Sequence, residues 1–304
     1  MDYQTILDEI RAEVAPRLDA GRITDAIAPL ARVPRQRFGM ALRSVDGVLA
    51  ETGDARTEMS VQSIAKIFVL TLAMRLEGEA VWKRVHREPS GTRFNSLVQL
   101  EYENGIPRNP FINAGAIVMT DLVMSHTGDA ARAVLELARV ASGNPEIRID
   151  DEVAEAERRT AHRNRALAHF LKSFGNLDND VDPVLDAYFR ICALSMSCVD
   201  LVAAASFLAA GGRSAGSEEP VATPRSVKRI NSIMLTCGVY DAAGDFAYRV
   251  GLPGKSGIGG GVVAVMPGQF VAAAWSPGLD EAGNSVAGTL ALELLTTKTG
   301  ISIF

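Results

Sequence analysis

The sequence has little cysteine, no long apolar run and no excess of basic charge. Its 304 residues contain three cysteines, Cys192, Cys198 and Cys237. Three is an odd number and the spacing matches no compact metal site. A disulfide framework is therefore not expected, and a reducing compartment, the cytoplasm, fits best. The four histidines, His86, His126, His162 and His169, form no convincing ligand set, so neither a metal nor an organic cofactor is expected. Acidic residues outnumber basic ones 36 to 31, which gives a net charge of -5 and no reason to expect nucleic-acid binding. The longest apolar stretches, near 67–74 and 201–210, are too short to cross a membrane. The opening MDYQTILDEI carries acids where an export leader needs basic and then apolar residues. No internal repeat is evident.

What is present is a chain with 47% apolar residues, long enough for one large domain or two lobes. Residues 2–19 read as an amphipathic helix and 23–32 as a short second one. Strands are expected at 38–44 and 48–51 around an Asp46-Gly47 turn. A helix is expected from Ser60 to about Leu76, stopping at Gly78. The stretch 81–112 is irregular and rich in Pro, Gly and Asn, a length of loop usually kept for function. Helices follow at 113–126, 129–142, 150–174 and 181–210, the longer ones with breaks, and a Gly- and Ser-rich junction at 211–217. Residues 224–236 read as a helix, Gly261–Met266 and Phe270–Trp275 as strands joined by Pro267-Gly268, and 285–297 as a closing helix. The pattern predicts an α+β fold with a helical lobe, about 66–217, inserted into a mixed lobe made of 1–65 and 218–304. The site is expected in the cleft between them.

The segment MSVQSIAKIFVLTLAM holds Ser63 and Lys66 three residues apart, a spacing that puts both on one helix face. Lys66 is the single formal charge between Met59 and Met74, in a helix apolar nearly all round and hence buried. Desolvation lowers the proton affinity of such a lysine. A neutral amine beside a hydroxyl can take its proton as the oxygen attacks a carbonyl. Taken alone the pair is weak, since Ser-x-x-Lys occurs by chance and a helix lysine can snorkel to water.

A second element, LPGKSGIGGG from Leu252 to Gly261, precedes a predicted strand. It resembles the Lys-Thr-Gly element that accompanies Ser-x-x-Lys in serine β-lactamases and penicillin-binding proteins. A phosphate-binding loop is excluded by spacing: Gly251 does not stand where GxxxxGK[ST] needs its first glycine, and a strand follows instead of a helix.

The segments SVQSIAK, HREPSGTRFN, NPFINAGAIV, Glu157 to Asn164, DAYFRICAL, LTCGVYDAAGDFAYRVGLPGKSGIGGG and WSPGLDEAGNSVAG extend over nearly the whole chain. In this order they resemble the bacterial and mitochondrial-type glutaminase family, which shares the serine β-lactamase-like fold. The resemblance implies hydrolysis of the side-chain amide of L-glutamine by water, without cofactor, in a homodimer or homotetramer. It implies Ser63 as nucleophile, Lys66 as its proton acceptor, Tyr240 as a proton relay and Gln62 as a pocket wall. The backbone N–H groups of Ser63 and Ile258 would form the oxyanion hole. Asn113, Glu157, Asn164 and Tyr188 would hold the substrate, Glu157 taking its α-ammonium.

The residues also have plainer readings. Asn113 suits a helix N-cap. Glu157 and Asn164, seven apart, would share a face of one helix. Tyr188 suits core packing, the cysteines read as small buried apolar residues, and Lys255 is expected to support Ser256 and Gly257. Arg93 and Asn95 are read as structural or lid residues. Two departures from the family pattern bear on the pocket: Ala26 stands where a tyrosine is usual, and TAHRN replaces SGDRN before Asn164. Two other readings stay open on sequence grounds. One is a β-lactam or D-Ala peptide hydrolase using the same pair; the other is a glutamine- or glutamate-binding protein without turnover.

Overall fold

The computed structural model describes residues 1–90 and 96–304. Among these residues the strands, in chain order, are β1 (Gly39–Ser44), β2 (Leu49–Gly53), β3 (Met59–Ser60), β4 (Arg148–Ile149), β5 (Leu194–Met196), β6 (Gly254–Ser256), β7 (Gly261–Met266) and β8 (Phe270–Trp275). One antiparallel sheet runs β2-β1-β8-β7-β6, and a small one runs β3-β5-β4. The early hairpin and the late meander thus meet at β1 and β8, with Ala41 opposite Ala273. The predicted turn closes the hairpin: Gly47 adopts φ 89° and donates its N–H to the Ser44 carbonyl. The fold is α+β.

Strand side chains alternate in direction, so each strand offers two faces. Met40, Leu42, Val262, Ala264, Ala272 and Ala274 pack with Leu7, Ile10, Leu292 and Leu295 of the terminal helices Tyr3–Val14 and Val286–Thr299. Ala41, Val263, Val265, Val271 and Ala273 turn the other way, into the large core shared with the helices of the middle of the chain. Burial on both faces explains why GVVAVM and FVAAAW read as nearly continuous apolar runs. The outer edge of β2 is covered by the side chain of Gln4, which donates to the Glu51 carbonyl (2.9 Å) and accepts from the Glu51 N–H (3.2 Å).

Several boundaries differ from expectation, each for a local reason. The helix expected from Ser60 starts at Lys66. Ser60 belongs to β3, and residues 62–65 form a 3₁₀ turn between strand and helix. The helix expected over 150–174 is two helices, Asp151–Thr160 and His162–Ser173, broken at Ala161. At the end of the first helix the Thr160 hydroxyl lies within hydrogen-bond distance of both the Ala156 and the Ala26 carbonyls. The expected helix at 23–32 contracts to Ala28–Ala31, with Pro29 in its first turn. The stretch 81–112 includes a short helix, Leu97–Tyr102, capped by Ser96. Arg93 and Asn95 lie outside the described residues. Among the described residues no helix is long and apolar enough to cross a membrane.

The helix Lys66–Glu77 packs on the helix Asn113–Thr127, both buried nearly all round. The second is anchored through Asp121. Its fully buried carboxylate pairs with Arg84 (2.7 Å) and accepts the backbone N–H groups of Asp178 and Asn179, 2.9 Å each. Removing one partner of a buried pair leaves the other without compensation. Asp121→Ala is expected to lower unfolding stability by about 3 kcal/mol, read by equilibrium denaturation.

Candidate active site

Ser63 stands on the 3₁₀ turn Gln62–Ala65, between β3 and the helix Lys66–Glu77. The turn is pinned by the Val61 N–H on the Leu194 carbonyl (2.9 Å). Gln62 takes φ 50°, a region that costs energy for a residue with a side chain. Its buried amide donates to Ser60 Oγ (2.9 Å), and Ser60 Oγ donates to the Cys192 carbonyl (3.3 Å). That chain of bonds holds the strained residue in place and presents the next one, Ser63. Tyr240 is a second non-glycine at positive φ, 54°. Strain of this kind is stored where function needs a fixed geometry.

The end of β6 lies against this turn. A Cβ on Gly257 would stand 2.5 Å from the Val61 carbonyl oxygen and 3.2 Å from the Ser63 amide nitrogen. A Cβ on Gly259 would stand 2.3 Å from the Ser60 carbonyl oxygen. Only glycine lets the backbone of Gly257, Ile258 and Gly259 approach so closely. The half-buried Ile258 therefore has its backbone beside the Ser63 amide.

Lys66 is the first residue of its helix and is 2% exposed. Its Nζ donates to the Phe111 carbonyl (3.1 Å) and to Asn113 Oδ1 (2.8 Å). Burial lowers its pKa to about 8, opposed by the field of Glu157. Asn113 is not a cap. It is the first residue of its helix, and its Nδ2 donates to Asn164 Oδ1 (2.9 Å). The helix has no side-chain cap; just before it, Asn109 Oδ1 accepts the N–H groups of Phe111 and Ile112. Glu157 and Asn164 do not share one helix. They meet the same cluster from two helices, across the break at Ala161. Burial raises Glu157 to about 7, with Lys66 pulling it down, and its Oε2 is buried without a hydrogen-bond partner.

Two tyrosines and a second lysine complete the cluster. Lys66 Nζ lies 5.9 Å from the ring centres of both Tyr188 and Tyr240. Lys255, fully buried, donates to the Ser256 carbonyl (2.6 Å) and lies 4.2 Å from the Tyr240 ring centre. Burial holds its pKa well below the usual lysine range, and the neighbouring Lys66 adds to this. Burial pushes the Tyr240 hydroxyl up, while its hydrogen bond with Ser63 pulls it down. Cys192, one turn beyond Tyr188, is a buried free thiol raised by its burial. A cavity of about 460 Å³ touches Tyr240 from outside, between Ser90 and Phe304, and its lining does not include Ser63 or Lys66.

The sequence-predicted residues Gln62, Ser63, Lys66, Asn113, Glu157, Asn164, Tyr188, Tyr240 and Ile258 are thus drawn from separate parts of the chain into one region. Comparison with known proteins gives the family. The Glutaminase family model matches residues 21–304. A glutaminase of Paraburkholderia phytofirmans is 54% identical over 304 residues, covering 100% of each chain. A glutaminase of Streptomyces coelicolor is 53% identical, covering 99% of this chain and 98% of its own. The chain belongs to the glutaminase family. A solved structure described as the probable glutaminase ybaS superposes on this glutaminase with a TM-score of 0.93 at 34% identity, covering 99% of this chain and 98% of the other.

Two features of this glutaminase's site are missed by sequence reasoning. One is the Phe111 carbonyl on Lys66, which no side-chain pattern can reveal. The other is Asn109, whose place before Pro110 at a helix entrance is a turn and cap signal. Ala26 is exposed, and its carbonyl is held by Thr160 at the end of the Glu157 helix. Gly257→Ala is expected to fold but to lower kcat on the order of 100-fold, because the displaced strand end opens the Ser63 turn. Steady-state ammonia release checks this.

Proposed function

We propose that this glutaminase hydrolyses the side-chain amide of L-glutamine to L-glutamate and ammonia through an ester on Ser63. The observation that carries the reading is the hydrogen bond between the Ser63 and Tyr240 hydroxyls beside a buried lysine whose pKa has fallen to about 8. Neutral Lys66 accepts the serine proton, relayed by Tyr240, as Ser63 Oγ attacks the amide carbon. The negative charge on the amide oxygen faces the backbone N–H groups of Ser63 and Ile258. The proton passes to the amide nitrogen, the C–N bond breaks and ammonia leaves. Water then attacks the ester, gives a proton back through the same pair and frees Ser63. Lys66 and Tyr240 act as a coupled unit in both halves.

Binding falls to the polar cluster around them. The unpaired oxygen of Glu157 suits the α-ammonium, because a buried carboxylate without a hydrogen-bond partner gains from a cation. Asn113, Asn164 and Tyr188 hold the remaining α-groups, and Gln62 walls the pocket. In this reading residues 1–65 with 218–304 form one lobe and 66–217 the other, with the reaction between them.

Ser63→Ala and Lys66→Met are each expected to lower kcat on the order of 10⁴-fold with the fold intact, measured as ammonia release from L-glutamine. Unchanged turnover by Ser63→Ala would sink the ester. A second outcome follows from Glu157, which is raised to about 7. Below that pH the carboxyl is neutral and must lose its proton to receive the α-ammonium. KM should therefore rise as pH falls below about 7, and Glu157→Gln should remove that dependence while binding weakly throughout. Initial rates over a pH series decide it.

A further inference from the structure

Asn109 is 1% exposed and makes three hydrogen bonds, all to backbone. Its Oδ1 accepts from the N–H of Phe111 and of Ile112, each at 3.0 Å. Its Nδ2 donates to the Glu88 carbonyl at 2.9 Å. The approach is tight on the helix side, where a Cβ on Gly115 would stand 2.0 Å from the Asn109 carbonyl oxygen. The segments on either side are laced together, with the N–H groups of His86 and Glu88 on the carbonyls of Pro107 and Arg108.

One of these bonds has a partner at its far end. The Ile112 N–H and the Phe111 carbonyl belong to the same peptide unit. That unit is planar and trans, so its N–H and C=O point in opposite directions. Asn109 holds the N–H end, and Lys66 Nζ donates to the C=O end at 3.1 Å. Fixing one end fixes the other. A bond accepted at the N–H end also polarises the carbonyl, which strengthens it as an acceptor.

We propose that Asn109 is a positioning residue for Lys66, aiming the Phe111 carbonyl and, two residues on, the Asn113 side chain at its ammonium group. The proposal rests on the reading of Lys66 as proton acceptor. The groups that face Lys66 with charge or titratable protons are Glu157, Cys192, Lys255, Tyr188 and Tyr240, and none lies on the Asn109 segment. Replacing Asn109 by alanine therefore reaches Lys66 through the peptide and not through a new field. A carbonyl acceptor favours the ammonium form. Its loss frees the amine sooner but lets it wander from Ser63.

The test is kcat and KM for L-glutamine against pH in wild type, Asn109→Ala, Asn109→Asp and Lys66→Met, with thermal melts of each. Asn109→Ala should lower kcat on the order of 10- to 100-fold, with its acid limb moved to lower pH. Asn109→Asp keeps an oxygen for both N–H groups but loses the donation to the Glu88 carbonyl and adds a negative charge, so it should recover most of kcat on the plateau with its acid limb moved to higher pH. Asn109 is merely structural if Asn109→Ala leaves kcat and its acid limb in place. It is also merely structural if Asn109→Asp, folded, loses as much kcat as Ala, or if activity follows only the folded fraction. Where Asn109→Ala fails to fold, the Asp variant decides alone: a folded Asn109→Asp with plateau kcat on the order of 10-fold or more below wild type overturns the proposal. Turnover retained by Lys66→Met would remove the proton-acceptor reading itself, whereas its loss beside an unaltered Asn109→Ala removes only this proposal.

Discussion

The structure turns on one buried amine. Lys66 enters a helix that is apolar on almost every side, where an ammonium ion is expensive unless its protons are accepted. The Phe111 carbonyl and Asn113 Oδ1 accept two of them. Each acceptor imposes a condition on its own neighbourhood. The carbonyl requires a helix that begins just beyond it, and Asn113 requires a partner for its own amide, supplied by Asn164. Asn164 in turn needs the chain to break at Ala161, since an unbroken helix from 151 to 173 would carry it along another course. The polar cluster is thus a series of satisfied demands that begins with one desolvated charge.

Charge balance follows the same logic. Two buried lysines, Lys66 and Lys255, lie 5.9 and 4.2 Å from the Tyr240 ring centre, and Cys192 and Glu157 oppose the desolvation of Lys66. Low dielectric makes each proton sensitive to the others. Burial draws the Lys66 amine and the Glu157 carboxyl toward each other, to about 8 and about 7, whereas in water they would be separated by several pK units. Burial moves the Tyr240 hydroxyl the other way, upward.

How much of this was legible in the sequence depends on the kind of feature. The α+β class, the hairpin at Asp46-Gly47 and the strands Gly261–Met266 and Phe270–Trp275 follow from turn chemistry and apolar runs, which are local. The Ser63–Lys66 spacing is local too, and so was visible, but its geometry was misjudged. Ser63 lies on a 3₁₀ turn held by a strained Gln62, and no propensity scale foresees a glutamine at positive φ. Glu157 and Asn164 were read on one helix because nothing in TAHRN announces a break. At the break Thr160 reaches the carbonyl of Ala26, which is distant in sequence. Asn113 suits a cap because asparagine is a good one, yet its side chain turns to Lys66 and Asn164 and no side chain caps the helix. Tertiary contact decided each of these cases.

The Gln4 side chain on Glu51 acquires meaning beside the Ser63 turn. A five-stranded open sheet has two edges, and each is a template on which a foreign strand can pair. At β2 the edge is stopped by one amide that imitates a neighbouring strand. At β6 it is stopped by Gly238, whose carbonyl accepts from Ser256, and by the Ser63 turn pressed against Gly257. The turn that presents Ser63 therefore also occupies the end of a sheet edge. A chain that loosened this corner would lose turnover and solubility together.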